Sequence, residues 1–313
     1  MVSSRNRTIS LSNEERELFV TKLLTLDKNV SISEITNKTI NQDLFEVFDF
    51  LPEKTVDLLF IDPPYNKYKN FNSRVFKKLS HSDYSDYLES FLPQLIKILK
   101  PTASIYVCCD WLSSASVVTV LEKYFLVRNR ITWERDKGRG SLSNWKNNSE
   151  DIWYCTMSED FVFNVEDVKI KRKVLAPYKE NGAPKDWDEE SDGLFRLTYP
   201  SNIWNDISIP FWSMPENTPH PTQKPEKLLA KIILASTNEN DLVFDPFLGS
   251  GTTSVVSKKL KRQYIGVEVD QEFSLLAEKR LHLVDEDISI QGYEDGVFWE
   301  RNSIVKRKKK TNS

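Results

Sequence analysis

Short apolar runs that end in an acidic residue constrain the fold of this chain more than any other feature. The runs are VDLLFID at 56–62, DLVFD at 241–245 and YIGVE at 264–268. Runs this short, bounded by turn residues, are typical of strands buried on both faces of a parallel sheet. Stretches with helical apolar spacing alternate with them on both sides of residues 157–215. This alternation predicts a doubly wound α/β sheet.

Composition narrows the classes of partner. The chain has 313 residues and a net charge of -3, which does not favour nucleic-acid binding over its whole surface. Three basic stretches, at 66–80, 128–146 and 169–173, are interleaved with aromatic residues and favour a polyanion partner, although a basic stretch is often only a solvated surface. No apolar run reaches the roughly 18 residues of a membrane span, and the polar start lacks a signal-peptide core, so we expect no membrane partner and a cytoplasmic protein.

The sequence predicts no metal site. Cys108, Cys109 and Cys155 have neither metal-ligand nor disulfide spacing, and the three histidines are dispersed. We expect the cysteines to be buried thiols in a reducing compartment.

A glycine-containing turn at 243–256, VFDPFLGSGTTSVV, follows one of the acidic strand ends. Gly249 and Gly251 let the backbone approach a ligand closely, and the helix that starts at Thr252 offers free N–H groups. The turn lacks the lysine of a phosphate loop and does not fit GxGxxG. Glu268, about twenty residues on, is where an acid binds ribose hydroxyls in open α/β sheets. The pocket therefore suits a nucleoside without a pyrophosphate.

The stretch IDPPYN at 61–66 has two interpretations. Asp-Pro and Pro-Pro are ordinary turn sequences. Alternatively, Asp62 and Tyr65 are held at a strand end because the chemistry of a site requires them there.

Three motifs together resemble one family. DPPY at 62–65, HPTQKPEKLLAKII at 220–233 and DPFLGSGTT at 245–253 resemble the S-adenosylmethionine-dependent amino-methyltransferases of DNA, and their order is that of the β-class enzymes. The resemblance covers roughly residues 40–282. It implies a mostly parallel, seven-stranded, Rossmann-like methyltransferase sheet that is circularly permuted and carries a small irregular target-recognition insertion.

The motif order divides the chain into five parts. They are a helical N-terminal extension (1–40), a catalytic half (41–156), a target-recognition region (157–215), a cofactor-binding half (216–290) and a C-terminal tail (291–313), of which the last residues are expected to be disordered.

The DPPY residues Asp62, Pro63, Pro64 and Tyr65 are the expected catalytic residues. An exocyclic amine is a poor nucleophile, and two fixed acceptors, the Asp62 carboxylate and the Pro63 carbonyl, would orient it toward the methyl group. The prolines hold these acceptors rigidly. Tyr65 would offer a flat face to a base taken out of the stack.

The resemblance implies S-adenosyl-L-methionine as cofactor. Asp245 and the loop from Phe247 to Gly251 would hold its methionine part, with Ser250 and Thr252 as donors, and Glu268 would bind the ribose. Asp43 is expected near the adenine, or as a helix N-cap. His220, Thr222 and Lys224 are expected to line the pocket, although His220 could instead make a structural hydrogen bond. The full predicted cofactor set is Asp43, Asp62, His220, Thr222, Lys224, Asp245, Phe247, Gly249, Ser250, Gly251, Thr252 and Glu268.

Double-stranded DNA is the partner that the resemblance implies. The residues predicted to contact it are basic, namely Lys67, Lys69, Arg74, Lys77, Lys78 and Arg139. Trp133, Trp145 and Trp153 are expected to pack in the core. A cognate restriction endonuclease and a homodimer are options that the resemblance leaves open.

Asp62 at the first motif position favours the N6 amine of adenine, with cytosine-N4 as the alternative. Methylation of RNA or of a protein glutamine fits less well, because an Asn usually stands at that position. A DNA-binding module that has lost catalysis is the alternative from another class, although no motif residue is missing.

Overall fold

The computed structural model describes residues 5–71, 74–135, 140–175, 177–180, 183–190 and 193–300. The helices, numbered along the chain, are α1 (Asn13–Val20), α2 (Ile32–Ile35), α3 (Leu44–Val47), α4 (His81–Ile98), α5 (Ser114–Leu121), α6 (Glu226–Ser236), α7 (Thr252–Lys259) and α8 (Gln271–Leu283), with short 3-10 helices at Phe48–Phe50 and Val165–Val168. None of the helices in these ranges is both long and apolar enough to cross a bilayer.

The strands have two to eleven residues and are distributed along the described part of the chain. They are β1 (Lys38–Ile40), β2 (Val56–Ile61), β3 (Lys69–Phe71), β4 (Arg74–Phe76), β5 (Leu99–Cys109), β6 (Leu126–Glu134), β7 (Ser149–Thr156), β8 (Ile170–Lys173), β9 (Lys179–Glu180), β10 (Ala183–Pro184), β11 (Asp188–Glu190), β12 (Gly193–Thr198), β13 (Ile203–Trp204), β14 (Leu242–Asp245), β15 (Gln263–Val267), β16 (Tyr293–Glu294) and β17 (Val297–Trp299).

The main sheet has the strand order β1-β15-β14-β2-β5-β7-β6-β13. All neighbouring pairs are parallel except those of β7, which runs antiparallel to β5 and β6. The predicted α/β sheet with mostly parallel strands is therefore confirmed. The eighth strand, β13, has only two residues, which is too short to produce a pattern in the sequence.

Helices cover both faces of the sheet, as a doubly wound fold requires. On β2, Leu59 and Ile61 point into a core that contains the apolar face of α4, whereas Leu58 and Phe60 point into a second core that contains α6. Burying each of these side chains stabilises the fold by about 1.5–3 kcal/mol. The three cysteines are buried free thiols in these cores, as predicted.

The strand order places the acidic strand ends side by side. The chain leaves β2 toward β5 on one side, whereas β14 leads to β15 on the other, so the order reverses between β2 and β14. A crevice outside the carboxyl ends of the strands forms at such a reversal. Asp62, Asp245 and Glu268 lie at the carboxyl ends of the three neighbouring strands β2, β14 and β15.

A second sheet combines the insertion with the C-terminal segment. Its order is β11-β12-β8-β17-β16, and β17 pairs in parallel with β8. The sequence pattern assigned residues 291–313 to a tail, but residues 293–299 form two strands, and Phe298 is fully buried. Residues 305–313, predicted to be disordered, lie outside the described part of the chain.

The N-terminal segment packs against the cofactor-binding half. The predicted helix α1 begins after Ser12, which forms a capping box with Glu15. Lys279 of α8 donates to Glu15 at 2.7 Å, and Phe19 contacts the ring of His282. β1 then forms one edge of the main sheet.

Candidate active site

A cavity of about 290 Å³ lies at the carboxyl ends of β2, β14 and β15. It brings together segments that are far apart in the sequence. The predicted site residues in its wall are Asp43, Asp62, Pro63, Pro64, Tyr65, Lys67, His220, Thr222, Lys224, Phe247, Gly249 and Glu268. The DPPY turn, the HPTQKP segment and the glycine loop therefore form one site.

Both oxygens of the Asp62 carboxylate are engaged by neighbouring side chains. Lys224 donates from Nζ to Oδ2 at 2.6 Å, and the Tyr65 hydroxyl donates to Oδ1 at 3.0 Å. Lys224 is the lysine of the HPTQKP segment and lies 162 positions after Asp62 in the sequence. The expected catalytic acid and an expected cofactor ligand are thus an ion pair in this structure.

Glu150, near the start of β7, completes this network and was not foreseen from the sequence. Its Oε2 accepts the Tyr65 hydroxyl at 3.1 Å and lies 3.5 Å from Nζ of Lys224. Its other oxygen pairs with Arg135. Because β7 is antiparallel to β5, its first residues lie at the same edge of the sheet as Asp62. An acid near the start of an apolar strand, in NSEDIWYCT, was the available signal.

The network fixes two protonation states. Burial alone would lower the pKa of Lys224, but the carboxylates of Asp62 and Glu150 raise it above its ordinary value. Burial and the same two carboxylates raise the pKa of Tyr65 well above its ordinary value. At neutral pH the amine is therefore charged, and the tyrosine hydroxyl keeps its proton.

Hydrogen bonds from neighbouring residues fix the conformation of the DPPY turn. The Tyr84 hydroxyl donates to the Pro64 carbonyl at 3.1 Å. The Asn66 side chain exchanges two hydrogen bonds with the backbone of Leu79, at 2.7 and 3.1 Å. The Tyr65 ring is buried, and the amines of Lys224 and Lys67 lie 5.3 and 4.9 Å from its centroid.

Asp245 holds the glycine loop and does not line the cavity. Its Oδ1 accepts the Phe247 N–H at 3.0 Å, and its Oδ2 accepts the Thr253 hydroxyl at 2.5 Å. Burial raises its pKa to about 7, against the opposing effect of these two hydrogen bonds. Asp245 therefore stabilises the conformation of the glycine loop.

Ser250, Gly251 and Thr252 also lie behind the cavity wall. Thr252 donates to the Lys224 carbonyl at 3.0 Å, which joins the glycine loop to the HPTQKP segment. The Ser250 hydroxyl is buried and has no partner among the described residues. Arg280 of α8, a residue that the sequence did not indicate, donates to the Ser250 carbonyl and the Thr252 hydroxyl at 2.9 Å each. Direct cofactor contacts by these loop residues stay predictions.

Glu268 lies in the wall at the end of β15. Its carboxylate accepts the N–H groups of Gly249 and Asp270, both at 2.8 Å. Burial raises its pKa to about 6. Asp270 itself caps α8 by accepting the Phe273 N–H at 3.1 Å. Both acids line the cavity, and each also accepts at least one backbone N–H group.

Asp43 and His220 combine structural contacts with positions in the wall. Asp43 caps α3 by accepting the Phe45 N–H at 3.1 Å, so the N-cap interpretation is confirmed, and it also borders the cavity. The His220 ring lies 4.3 Å from that of Phe273. A Cβ atom on Gly249 would lie 3.1 Å from Nε2 of His220, so a residue without a side chain permits this close packing.

The predicted DNA contacts are only partly visible. Lys67 lies in the cavity wall and 3.7 Å from Asp110, and Lys77 and Lys78 are exposed. The side chains of Lys69 and Arg74, on the hairpin of β3 and β4, and all of Arg139 lie outside the described part.

The expected core role of Trp145 is wrong. Its side chain is 95% exposed in the loop between β6 and β7, whereas Trp133 is 1% exposed and lies in the core. The two residues share a basic stretch, but only Trp133 lies on a strand, where its indole N–H donates to the Ile207 carbonyl at 3.1 Å.

The donor set of the cavity fits S-adenosyl-L-methionine. Glu268 would supply a carboxylate for ribose hydroxyls, and Phe247, Phe273 and Val267, which also line the cavity, would supply an apolar surface for a base. Lys224 is a cation that a ligand carboxylate could meet. Among the described residues, no group of three or more potential metal ligands is found.

Comparison with known proteins agrees with this site. A family profile described as DNA methylase, and named for N6 and N4 methyltransferases, matches residues 56–279. Type II methyltransferase M.HpaI of Haemophilus parainfluenzae is 32% identical over 236 residues, which are 74% of this chain and 69% of that protein. DNA adenine methyltransferase YhdJ of Escherichia coli (strain K12) is 30% identical over 77% of this chain and 81% of that protein.

Solved structures show the same fold. The crystal structure of the M1.HpyAVI–SAM complex covers 78% of this chain and 98% of its own, with 26% identity and a TM-score of 0.51. The PvuII DNA methyltransferase, described as cytosine-N4-specific, aligns over 90% of this chain and 98% of its own with 19% identity and a TM-score of 0.57. The chain belongs to the S-adenosylmethionine-dependent N6/N4 DNA methylase family.

Proposed function

We propose that the protein transfers a methyl group from S-adenosyl-L-methionine to the N6 amine of an adenine in a specific site of duplex DNA. The observation that carries this proposal is the meeting of the DPPY turn and the glycine loop, with Glu268, in one cavity. When bound, S-adenosyl-L-methionine supplies a methyl group on a sulfonium. Residues of the chain bind and orient the base and its amine.

Residues of the chain orient the amine, and the rate of transfer then depends on how closely and how well aligned the reacting atoms are held. Asp62 accepts one N–H of the amine, and the carbonyl of Pro63 accepts the other. The bonds from Tyr84 to Pro64 and from Asn66 to Leu79 hold the backbone of the turn, so the Pro63 carbonyl keeps its position. Holding the reacting atoms in line is worth several kcal/mol of the barrier.

A base must leave the duplex to reach Asp62, because an exocyclic amine inside the stack is inaccessible to the cavity. Tyr65 supports such a base with its ring, once the amine of Lys67 above the ring moves aside.

Exposed aromatic and apolar side chains border the same edge of the sheet. Tyr68 follows DPPY, Trp111 follows β5, and Leu142 and Trp145 follow β6, and all four are exposed. β5 and β6 both run antiparallel to β7, so they end at the edge where Asp62 lies. These side chains form the surface that meets the DNA, together with Lys77 and Lys78.

Adenine is the proposed target for two reasons. Asp62 occupies the first position of the motif, and YhdJ is named as an adenine methyltransferase. Cytosine-N4 is the alternative, since the family profile is named for both amines. Other relatives are named Type II methyltransferases, which supports a role beside a cognate restriction endonuclease in the cytoplasm.

The test is a transfer assay with product identification. Purified protein is incubated with labelled S-adenosyl-L-methionine and DNA from a host without methyltransferases, and the DNA is hydrolysed. We expect labelled N6-methyladenine. If N4-methylcytosine appears instead, the alternative holds, and if no DNA is labelled, the enzymatic proposal fails.

Asp62→Ala is expected to lower transfer below detection while cofactor binding, measured by calorimetry, survives. Asp27→Ala, at an exposed position in a loop, is the matched control and should transfer at the wild-type rate.

A further inference from the structure

Glu150 is a buried carboxylate in the network around Asp62, and the reaction proposed above gives it no role. We propose that Glu150 is a positioning residue that takes over Lys224 and Tyr65 when Asp62 turns to the target amine. This inference rests on the proposed function of the same site.

In the present structure each oxygen of Asp62 already accepts one donor, so a base amine would compete with Lys224 and Tyr65 for the carboxylate. Lys224 occupies Oδ2 and Tyr65 occupies Oδ1. The Lys224 side chain is only 7% exposed, so its amine cannot leave Asp62 for water. A buried charge that loses its partner destabilises the protein strongly, so Lys224 needs another carboxylate within reach.

Glu150 supplies that carboxylate. Its Oε2 lies 3.5 Å from Nζ of Lys224 and 3.1 Å from the hydroxyl of Tyr65. Lys224 and Tyr65 therefore lie close to both carboxylates. A short movement of the Lys224 amine would transfer it from Asp62 to Glu150.

The hydroxyl of Tyr65 can also exchange its acceptor between the two carboxylates. A phenol has one proton, so it donates to Asp62 or to Glu150 at any moment, although both lie within hydrogen-bond distance. When it donates to Glu150, Oδ1 of Asp62 is released to the amine.

The charges of the network permit this exchange. Arg135 pairs with the second oxygen of Glu150, so the two acids, Asp62 and Glu150, face two cations, Arg135 and Lys224. Moving Lys224 between the acids changes no net charge. Glu150 is anchored by Arg135 at Oε1, while its Oε2 faces Lys224 and Tyr65.

The test measures how strongly the protein recognises the target amine. Once the target sequence is mapped, two duplexes are compared, one with adenine and one with unsubstituted purine, which lacks the amine, at the target position. Affinities are measured with the demethylated cofactor product bound, so no transfer occurs. If the target is cytosine, the base without the N4 amine replaces purine.

We expect the wild type to prefer adenine over purine by about a hundredfold, because the amine donates to both Asp62 and Pro63 and each bond contributes about tenfold. In Glu150→Gln, which keeps the shape of the side chain but not its charge, Lys224 stays on Asp62 and the preference should fall to about tenfold, the contribution of the Pro63 carbonyl alone. Glu150→Asp, which keeps the charge, should recover part of it. Glu159→Gln, at an exposed acid also paired with an arginine, is the control.

The double variant Lys224→Met/Glu150→Gln separates this role from a structural one. With no amine on Asp62, the preference for adenine should return. If the double variant shows no recovery, or if Glu150→Gln keeps the wild-type preference, the inference is overturned.

A rate measurement distinguishes this inference from the proposed function. Single-turnover transfer by Glu150→Gln should slow on the order of a hundredfold, as for a misplaced reacting group, while its affinity for the cofactor stays within about twofold of wild type. If the wild type transfers but Glu150→Gln transfers equally fast, this inference fails alone. If the wild type transfers to no DNA, the proposed function fails.

Discussion

At the scale of single residues, the protonation of Glu268 should make the affinity of the cavity for its cofactor depend on pH. The pKa of this carboxyl group is raised by burial to about 6, so the group is ionised above this pH and protonated below it. The ionised form accepts the Gly249 and Asp270 N–H groups and can accept ribose hydroxyls, whereas the acid form loses acceptor capacity. The affinity for S-adenosyl-L-methionine should therefore fall as the pH falls through 6, at most about tenfold per pH unit.

Calorimetric titrations between pH 5 and pH 8 check this prediction. Glu268→Gln should bind more weakly at pH 8 and should lose most of the pH dependence. Any dependence that survives belongs to another group, such as Asp245, whose pKa of about 7 lies in the same window. An unchanged pH dependence in the variant would contradict the assignment to Glu268.

Residues at the ends of parallel strands were predictable from the sequence, and others at the site were not. Asp62 and Glu268 follow apolar runs whose strand direction the α/β alternation fixes. Glu150 lies at the start of a strand, and only the antiparallel direction of β7 brings it to the same edge. Arg280 reaches the glycine loop from the far part of α8, a contact that depends on helix packing and leaves no local pattern.

At the scale of elements, the glycine loop and α8 approach each other too closely for any side chain at Gly251. This residue has φ +83°, and a Cβ atom there would lie 2.5 Å from Cβ of Ala277. Gly251→Ala should therefore lower the free energy of unfolding by about 1–3 kcal/mol and weaken cofactor binding, because α7 must shift away from α8. Thermal unfolding with and without S-adenosyl-L-methionine measures both effects.

Gly296 provides the matched control. Its φ is +77°, nearly that of Gly251, but nothing lies within 4 Å of its position for a Cβ atom. Gly296→Ala should cost only the backbone strain, about 1 kcal/mol, and should leave cofactor affinity unchanged. If the two variants behave alike, the close approach of α7 and α8 does not matter for binding.

The regular elements of the two halves were predictable because their apolar spacing matches the period of a helix or a buried strand. The insertion was not predictable in this way. β8, β11 and β12 have three to six residues each and mixed polar composition. β12 pairs with β8 and β11, and β8 also pairs with β17, which lies more than 90 residues further along the chain. Pairing over such distances leaves no periodic signal in a single sequence.

At the scale of the whole molecule, the C-terminal strands join the insertion to the cofactor-binding half. Phe298 of β17 is fully buried in the same core as Leu229 and Ile233 of α6. Beside it, Lys227 donates to the carbonyls of Trp299 and Asp206 at 2.5 and 2.9 Å. The region proposed to recognise the DNA target is thus fixed to the helix that follows the HPTQKP segment.

Lys231 strengthens this junction from the same helix. Its amine is buried, donates to Asp206 at 2.7 Å and lies 5.6 Å from the ring of Phe298. Burial lowers its pKa to about 8, against the opposing effect of Asp206. The junction therefore combines an apolar core with an ion pair that is removed from water, and such pairs depend on the packing around them.

Phe298→Ala is the test of this arrangement. Removing a fully buried aromatic side chain should lower the free energy of unfolding by about 3–5 kcal/mol and leave Lys231 and Asp206 open to water. Urea unfolding measures the loss, and Val297→Ala, at the adjacent and less buried position, should cost well under half as much. Because the cofactor cavity lies at the carboxyl ends of β2, β14 and β15, affinity for S-adenosyl-L-methionine below the unfolding transition should change little while affinity for DNA falls. Equal losses of both affinities would show that the second sheet supports the whole fold and is no separate support for target recognition.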